Sequence, residues 1–273
     1  MDRLEGKVAA VTGAASGLGR AMALAFAAEG MHVALADVDL KNLHAVRDQI
    51  KGVKSCAMRV DVSQAAEVDA FAERTAAELG GVHLVCNNAG VSLSGALWEM
   101  SELDWEWILG VNLRGVANGV RAFTPRLLAQ DEGHIVNTAS VAGLISPPGM
   151  GAYCVTKHAV VTLSEALHHD LRERGARVGV SVLCPAYVPT AIAESERNRP
   201  SHLGASRKTP QDATLKKAVA SGKLSADDVA RAVVAAVKAG RFYVLTHAAI
   251  KGAIRARMED VLEERLPRDP LRL

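Results

Sequence analysis

Residues 7–19 read KVAAVTGAASGLG, an apolar run that meets a glycine-rich turn and passes into a helical pattern. A short apolar run ending in turn residues reads as a buried strand. Glycines at 13, 17 and 19 permit a tight turn and close approach of a ligand to the backbone. Exposed N–H groups and the dipole at the start of the next helix favour an anion, so a pyrophosphate fits against Gly13, Ser16, Gly17, Leu18 and Gly19. The spacing is G-x-x-x-G-x-G, not the commoner G-x-G-x-x-G, and glycine-rich turns after strands also serve packing alone.

Six further apolar runs follow the first, at 32–37, 55–62, 82–90, 134–140, 178–185 and 242–247. Helical patterns lie between them at 17–29, 39–51, 64–79, 101–129, 153–174 and 226–239. Ser225 with Asp228 three positions later opens the last as a capping box. Such alternation predicts an α/β fold with a seven-stranded parallel sheet flanked by helices, doubly wound from strand one. The ligand crevice is then expected at the carboxyl ends of the strands, where the order reverses. Residues 190–224 break the rhythm: they are polar, weakly periodic and read as a mobile insertion, with a lid favoured by their place after a strand end. A single domain over 1–273 is expected, closing in a helical tail at 248–273.

Composition narrows the class. With 49% hydrophobic but only 4% aromatic residues, the chain suits a helix-wrapped sheet of small apolar side chains. A net charge of +2, from 32 basic and 30 acidic residues without a basic stripe, gives no sign of nucleic acid. The start carries neither a signal-peptide core nor a membrane helix, so a cytoplasmic protein without membrane attachment is expected. Cys56, Cys86, Cys154 and Cys184 show neither disulfide nor zinc spacing and read as buried free thiols. His168 and His169 leave a helix about 100° apart, too divergent to chelate one ion, so no metal is expected.

Asp37 ends the second apolar run, where its carboxylate can accept both hydroxyls of an adenosine ribose and repel a 2′-phosphate. Neither Ser16 nor Val38 is a cation, so NAD is favoured over NADP. Tyr153 and Lys157, four apart at a helix start, share one face, and an adjacent ammonium and a cationic nicotinamide ring would both favour the phenolate needed for proton transfer. Ser140 ends the preceding strand and can hydrogen-bond a substrate oxygen.

Taken together, T-G-A-A-S-G-L-G, Asp37, Asp61-Val62, Asn87-Asn88-Ala89-Gly90, Asn112, Ser140 and Y-C-V-T-K resemble, in order and spacing, the short-chain dehydrogenase/reductase family over residues 5–190. The resemblance implies a Rossmann-type fold in which Asp61 and Val62 contact adenine and the turn from Asn87 through Asn88 and Ala89 to Gly90 supports the cofactor crevice. It further implies that Pro185, Val188 and Thr190 meet the nicotinamide end and that Asn112 holds a water linking Lys157 to solvent. Ala186 stands where the family usually has glycine; a positive φ there would cost roughly 1 kcal/mol, an ordinary extended conformation nothing.

The expected activity is hydride transfer between a secondary alcohol or ketone and NAD, with Tyr153 as general base, Ser140 stabilising the alkoxide and Lys157 holding the ribose and lowering the Tyr153 pKa. An NADP-dependent carbonyl reductase and a non-catalytic NAD-binding regulator are the alternatives. The segments 91–97, 141–150 and 187–189, and the lid start, are mainly apolar and lack basic residues, which favours a neutral, bulky lipophilic or aryl substrate. Arg197, Arg199, Arg207 and Lys208 read as a solvated lid surface. The long patterns at 101–129 and 153–174 resemble the family's subunit interface and imply a homo-oligomer, a tetramer or dimer.

Overall fold

In the computed structural model, which describes residues 1–272, seven parallel strands form one sheet in the order β3-β2-β1-β4-β5-β6-β7. The strands are β1 (Val8–Thr12), β2 (His32–Asp37), β3 (Ser55–Arg59), β4 (Leu84–Asn87), β5 (Gly133–Thr138), β6 (Val178–Cys184) and β7 (Tyr243–Leu245). Several stop short of the apolar runs that announced them. Beyond Asn87 the run turns at Asn88-Ala89-Gly90 and becomes cleft floor instead of strand.

Both sheet faces are covered, and the pleat decides which side chain goes where. In β1, Ala9 and Val11 join one apolar cluster while Val8 and Ala10 join the opposite one. The registered pairs Val85–Ile135 and Cys86–Val136 split between the same two clusters. On one face α1 (Gly17–Ala28) packs against α8 (Ala226–Ala239), burying Phe26 and Val233 completely. On the other, α3 (Ala65–Leu79) packs against α5 (Gly115–Gln130), with the Phe71 and Phe123 rings edge to face at 5.8 Å. Each such fully buried side chain contributes about 1.5–3 kcal/mol. All four cysteines are free and buried.

The remaining helices are α2 (Leu40–Arg47), α4 (Glu102–Leu109), α6 (Gly151–Glu173), α7 (Pro210–Ala220) and α9 (Ile250–Leu262). Three features depart from the sequence reading. The pattern at 101–129 is two helices joined by a π-type turn at Gly110–Arg114, a wide turn that swings Asn112 inward. Residues 190–224 carry more structure than their weak periodicity suggested: 3-10 turns at Ala191–Asn198 and Ser201–Leu203, then α7. Pro210 opens α7, and the Asp212 carboxylate accepts from Thr209 N–H at 2.7 Å. The C-terminal tail is helical only to Leu262; Glu264 adopts φ +53° and the chain reverses. Ala186 avoids the strain considered for it, since among the described residues only Asp131 and Glu264 combine a side chain with positive φ.

Candidate active site

Because β1 lies between β2 and β4, the chain winds away from it in both directions and opens a crevice at the carboxyl ends of the strands. A cavity of about 660 Å³ fills that crevice. At one end stands the glycine-rich turn. Gly13 takes φ +66°, and a Cβ there would lie 2.8 Å from Ala89 Cα; Gly17 takes φ +52°, and a Cβ there would lie 3.2 Å from Thr190 Cβ. Any side chain would force apart the loops that the turn brings together. Gly13, Ser16, Gly17 and Leu18 line the cavity, whereas Gly19 does not. A Cβ on Gly19 would sit 2.1 Å from the Gly13 carbonyl oxygen, so its role is to close the turn from behind.

Asp37 lines the same end, one oxygen accepting from Ala15 N–H and the other from Asp39 N–H, each at 3.0 Å. Each carboxylate oxygen can accept a second bond, which leaves room for two hydroxyls. Burial raises the Asp37 pKa, and the backbone donors oppose that rise. Asp61 and Val62 form the adjoining wall, Asp61 accepting from Ser63 N–H and Oγ at 3.0 and 2.7 Å. The Asn88 side chain joins three strand ends by donating to the Thr12 carbonyl at 3.0 Å and accepting from Thr138 Oγ1 at 3.2 Å. Ala89 and Gly90 continue the floor, and Pro185, Val188 and Thr190 face them across the cleft.

Ser140, Tyr153 and Lys157 meet on the border of the same cavity. Ser140 follows β5 in extended backbone, where its Oγ accepts from Ala142 N–H at 3.2 Å and donates to the Pro185 carbonyl at 3.4 Å. Tyr153 lies in the first turn of α6, and Lys157 one turn on donates from Nζ to the Thr138 carbonyl at 2.9 Å. Burial pushes the Tyr153 phenol up to about 12, a rise that the hydrogen bond with Ser140 opposes. Burial brings the Lys157 ammonium down to about 8. The chain's own groups thus leave the phenol above its ordinary value.

Asn112 is buried behind this trio and does not border the cavity. Its Oδ1 accepts from Val91 N–H at 2.8 Å, and its Nδ2 donates to the Val91 carbonyl at 2.9 Å and to Thr156 Oγ1 at 3.1 Å. It thereby ties the π-type turn to the floor of the cleft and to α6. A Cβ on Gly90 would lie 3.4 Å from Asn112 Oδ1 and 3.5 Å from Lys157 Nζ, ordinary contact distances that put Gly90 beside both groups.

The wall beyond the reacting end differs from the sequence reading. Val91, Ser92, Val141, Ile145, Met150, Tyr187 and Ile192 border the cavity, but Leu93, Ser94, Leu97, Leu144 and Ser146 do not. Sequence reasoning missed Leu203, Leu215, Val219, His247, Ile250 and Leu271, which come from distant segments folded over the crevice. His247 accepts from Ala186 N–H through Nδ1 at 3.2 Å and braces the loop after β6. Arg199 is not solvated: its side chain is 3% exposed, pairs with Asp104 at 2.8 Å and stacks on Trp107 with 5.0 Å to the ring centroid. Arg207 is exposed and pairs with Glu99, whereas Arg197, which donates to the Ala191 and Glu194 carbonyls, borders the cavity together with Arg114 and His202, so the cleft is not without basic groups as the sequence reading had it. Among the described residues no cluster of metal-ligating side chains occurs, and no helix is long and apolar enough to cross a membrane.

The model of the short chain dehydrogenase family matches residues 7–201. The chain belongs to that family. This short-chain dehydrogenase is 51% identical to a short-chain dehydrogenase/reductase from Burkholderia phymatum whose crystal structure is a complex with NAD, with a TM-score of 0.97 and 99% of each chain covered. It is 32% identical to the CLA biosynthesis dehydrogenase/reductase of Lactiplantibacillus plantarum over 98% of this chain and 97% of that one. The 1-deoxy-11-beta-hydroxypentalenate dehydrogenase of Streptomyces exfoliatus is 34% identical, with 94% of this chain and 89% of its own covered.

Proposed function

We propose that this short-chain dehydrogenase interconverts a neutral, bulky lipophilic or aryl secondary alcohol and its ketone, with NAD as the hydride carrier. The observation that carries the reading is one cavity bordered both by Asp37 and the glycine-rich turn and by Ser140, Tyr153 and Lys157.

The residues fit the dinucleotide. Gly13, Ser16, Gly17 and Leu18 hold the pyrophosphate, Asp37 the adenosine ribose, and Asp61 and Val62 the adenine. Asn88, Ala89 and Gly90 support the crevice, Lys157 and Tyr153 meet the second ribose, and Pro185, Val188 and Thr190 meet the carboxamide. No lysine or arginine stands at Ser16 or Val38 to balance a 2′-phosphate. The NAD-bound relative, 51% identical, supports the same cofactor. When bound, oxidised NAD accepts the hydride released from the carbinol carbon and brings a positive charge beside the phenol.

Tyr153 takes the hydroxyl proton through its phenol oxygen in the oxidising direction and returns it in the reducing one. Ser140 Oγ, fixed by Ala142 N–H, positions the substrate oxygen as the alkoxide develops. Lys157, with its pKa at about 8, remains mostly protonated near neutrality and supports the phenolate. Asn112, held by three hydrogen bonds, fixes the floor next to Lys157 and the route by which the proton leaves. The segment 190–224 acts as a lid, and assembly as a homo-oligomer in the cytoplasm agrees with the family resemblance.

The apolar side chains of Val141, Ile145, Met150, Tyr187 and Ile192 support neutral substrates, while Arg197 on the same border donates from Nη1 to the Ala191 and Glu194 carbonyls. A screen of NADH formation across neutral secondary alcohols of graded size, each paired with a carboxylate-bearing analogue, tests the assignment. Preference for the neutral series, rising with apolar size, is expected. Preference for the carboxylates would overturn the substrate class, and binding of NADH without turnover of any alcohol or ketone would leave a non-catalytic NAD-binding protein.

A further inference from the structure

After α9 the chain folds back along that helix. Glu264 takes φ +53°, Arg265 N–H donates back to the Asp260 carbonyl at 2.8 Å, and the tail turns towards the helix it has just left. Asp260, only 4% exposed, gathers it: Arg268 Nε lies 2.8 and 3.0 Å from the two carboxylate oxygens, and Arg268 N–H donates to the carboxylate at 3.1 Å. Arg268 Nη2 adds a bond to the Ala256 carbonyl at 2.7 Å. A charged pair with this many bonds holds a fixed geometry, unlike a single exposed ion pair. Two residues later, Pro270 and Leu271 border the same cavity as Tyr153, beside Ile250 and Ala253 of α9. His247, just before α9, also borders the cavity and is bonded to the Ala186 backbone, so the tail shares the cavity with the loop after β6. Leu271 remains 60% exposed, an apolar side chain with contact surface to offer a ligand.

We propose that Pro270 and Leu271 form the outer wall of the substrate cavity and set its preference for long apolar substrates, with Asp260 as the positioning residue that clasps the tail through Arg268. The inference rests on reading the cavity as a secondary-alcohol site. A short substrate held at Ser140 and Tyr153 ends before the tail; a longer apolar chain reaches Leu271 and loses water against it.

The test uses the full chain and a ladder of neutral 2-alkanones from 2-butanone to 2-decanone with NADH. Leu271→Ala is expected to lower the ratio of kcat/KM for 2-decanone to that for 2-butanone about three- to tenfold, chiefly through KM. Leu271 lies outside the packed core, so this variant retains the fold. Asp260→Asn is expected to lower the same ratio, and the double variant to lower it no further than the larger single effect, because both changes remove one wall. An unchanged ratio in Leu271→Ala, or an equal loss for every ketone in Asp260→Asn, would overturn the proposal. A second readout needs no turnover: 2-decanol is titrated into the protein saturated with NADH and its Kd read from nicotinamide fluorescence. Weaker 2-decanol binding in Leu271→Ala supports the wall, while equal Kd values or no binding to the wild type overturn it. Absence of turnover on the whole ladder counts against the proposed reaction alone.

Discussion

Lys157 Nζ lies 5.6 Å from the centre of the Tyr153 ring, close enough to bias the phenol electrostatically while its hydrogen bond goes to the Thr138 carbonyl. The ammonium is thus held in place by the end of β5. Tyr153, in surroundings that push its pKa to about 12, depends on positive charge at the loaded site to act as a base near neutrality.

Tyr153→Phe should therefore abolish chemistry while sparing the cofactor. A fall of about 100- to 10,000-fold in kcat is expected, with the Kd for NADH, measured by fluorescence titration, changed less than about threefold. Activity above a tenth of wild type would remove the phenol from the proton-transfer step.

Cofactor choice can be tested at the end of β2. Asp37→Ser combined with Val38→Arg removes the ribose acceptor and supplies a cation for a 2′-phosphate, so kcat/KM should shift towards NADP. NAD should lose more than ribose contacts, since Asp37 also holds Ala15 N–H. Equal kcat/KM for the two cofactors in the wild type would refute the role given to Asp37.

His134 gives a pH prediction. Its Nε2 lies 2.7 Å from Ser181 Oγ, and that hydroxyl donates to the Arg241 carbonyl at 2.6 Å, so the imidazole supplies the hydrogen from Nε2. Nδ1 faces Gly179, where even a Cβ would come within 2.4 Å, and finds no acceptor for a second proton. Burial brings the His134 pKa down to about 4 from 6.5. The unfolded chain takes up the proton as pH falls through 6.5, the folded chain only near 4, so acid favours unfolding across that interval. About 3 kcal/mol should be lost progressively between pH 6.5 and 4. Urea midpoints at pH 7 and 4.5 should differ less in His134→Gln than in the wild type; an equal difference would assign the acid sensitivity to other groups.

The lid should loosen when its buried anchor is removed. Arg199→Ala leaves Asp104 buried beside Trp107 without its partner and frees the Leu203 and Gly204 carbonyls. Breaking such a pair costs about 3–5 kcal/mol, here concentrated in the segment it holds. Thermolysin should cut within 191–209 faster, and KM should rise more than kcat falls. An unchanged cleavage pattern would show that other contacts, such as Ser195 Oγ with Ser92 N–H, suffice.

Assembly is a separate expectation. Light scattering at micromolar concentration should give the mass of a dimer or tetramer, and a monomer mass would refute it.

Much of the site was legible because its groups act locally. A glycine that must take positive φ, an acid at a strand end, and Tyr153 and Lys157 one helical turn apart are relationships within a few residues, and the alternation of apolar runs with helical patterns implied a parallel sheet with its crevice at the strand ends. What lies across the fold was not. The burial of Arg199 depends on Asp104 and Trp107, the brace at Ala186 on His247, and the outer wall on Leu271 after a reversal that no periodicity signals. Sequence pattern alone determined the layers of the sheet, the turn that suits a dinucleotide and the placing of Tyr153 and Lys157 one helical turn apart. Tertiary structure alone decided which charges are paired, which apolar residues border the cavity and how far the phenol pKa rises, because burial and long-range contact arise only once distant segments exclude water together.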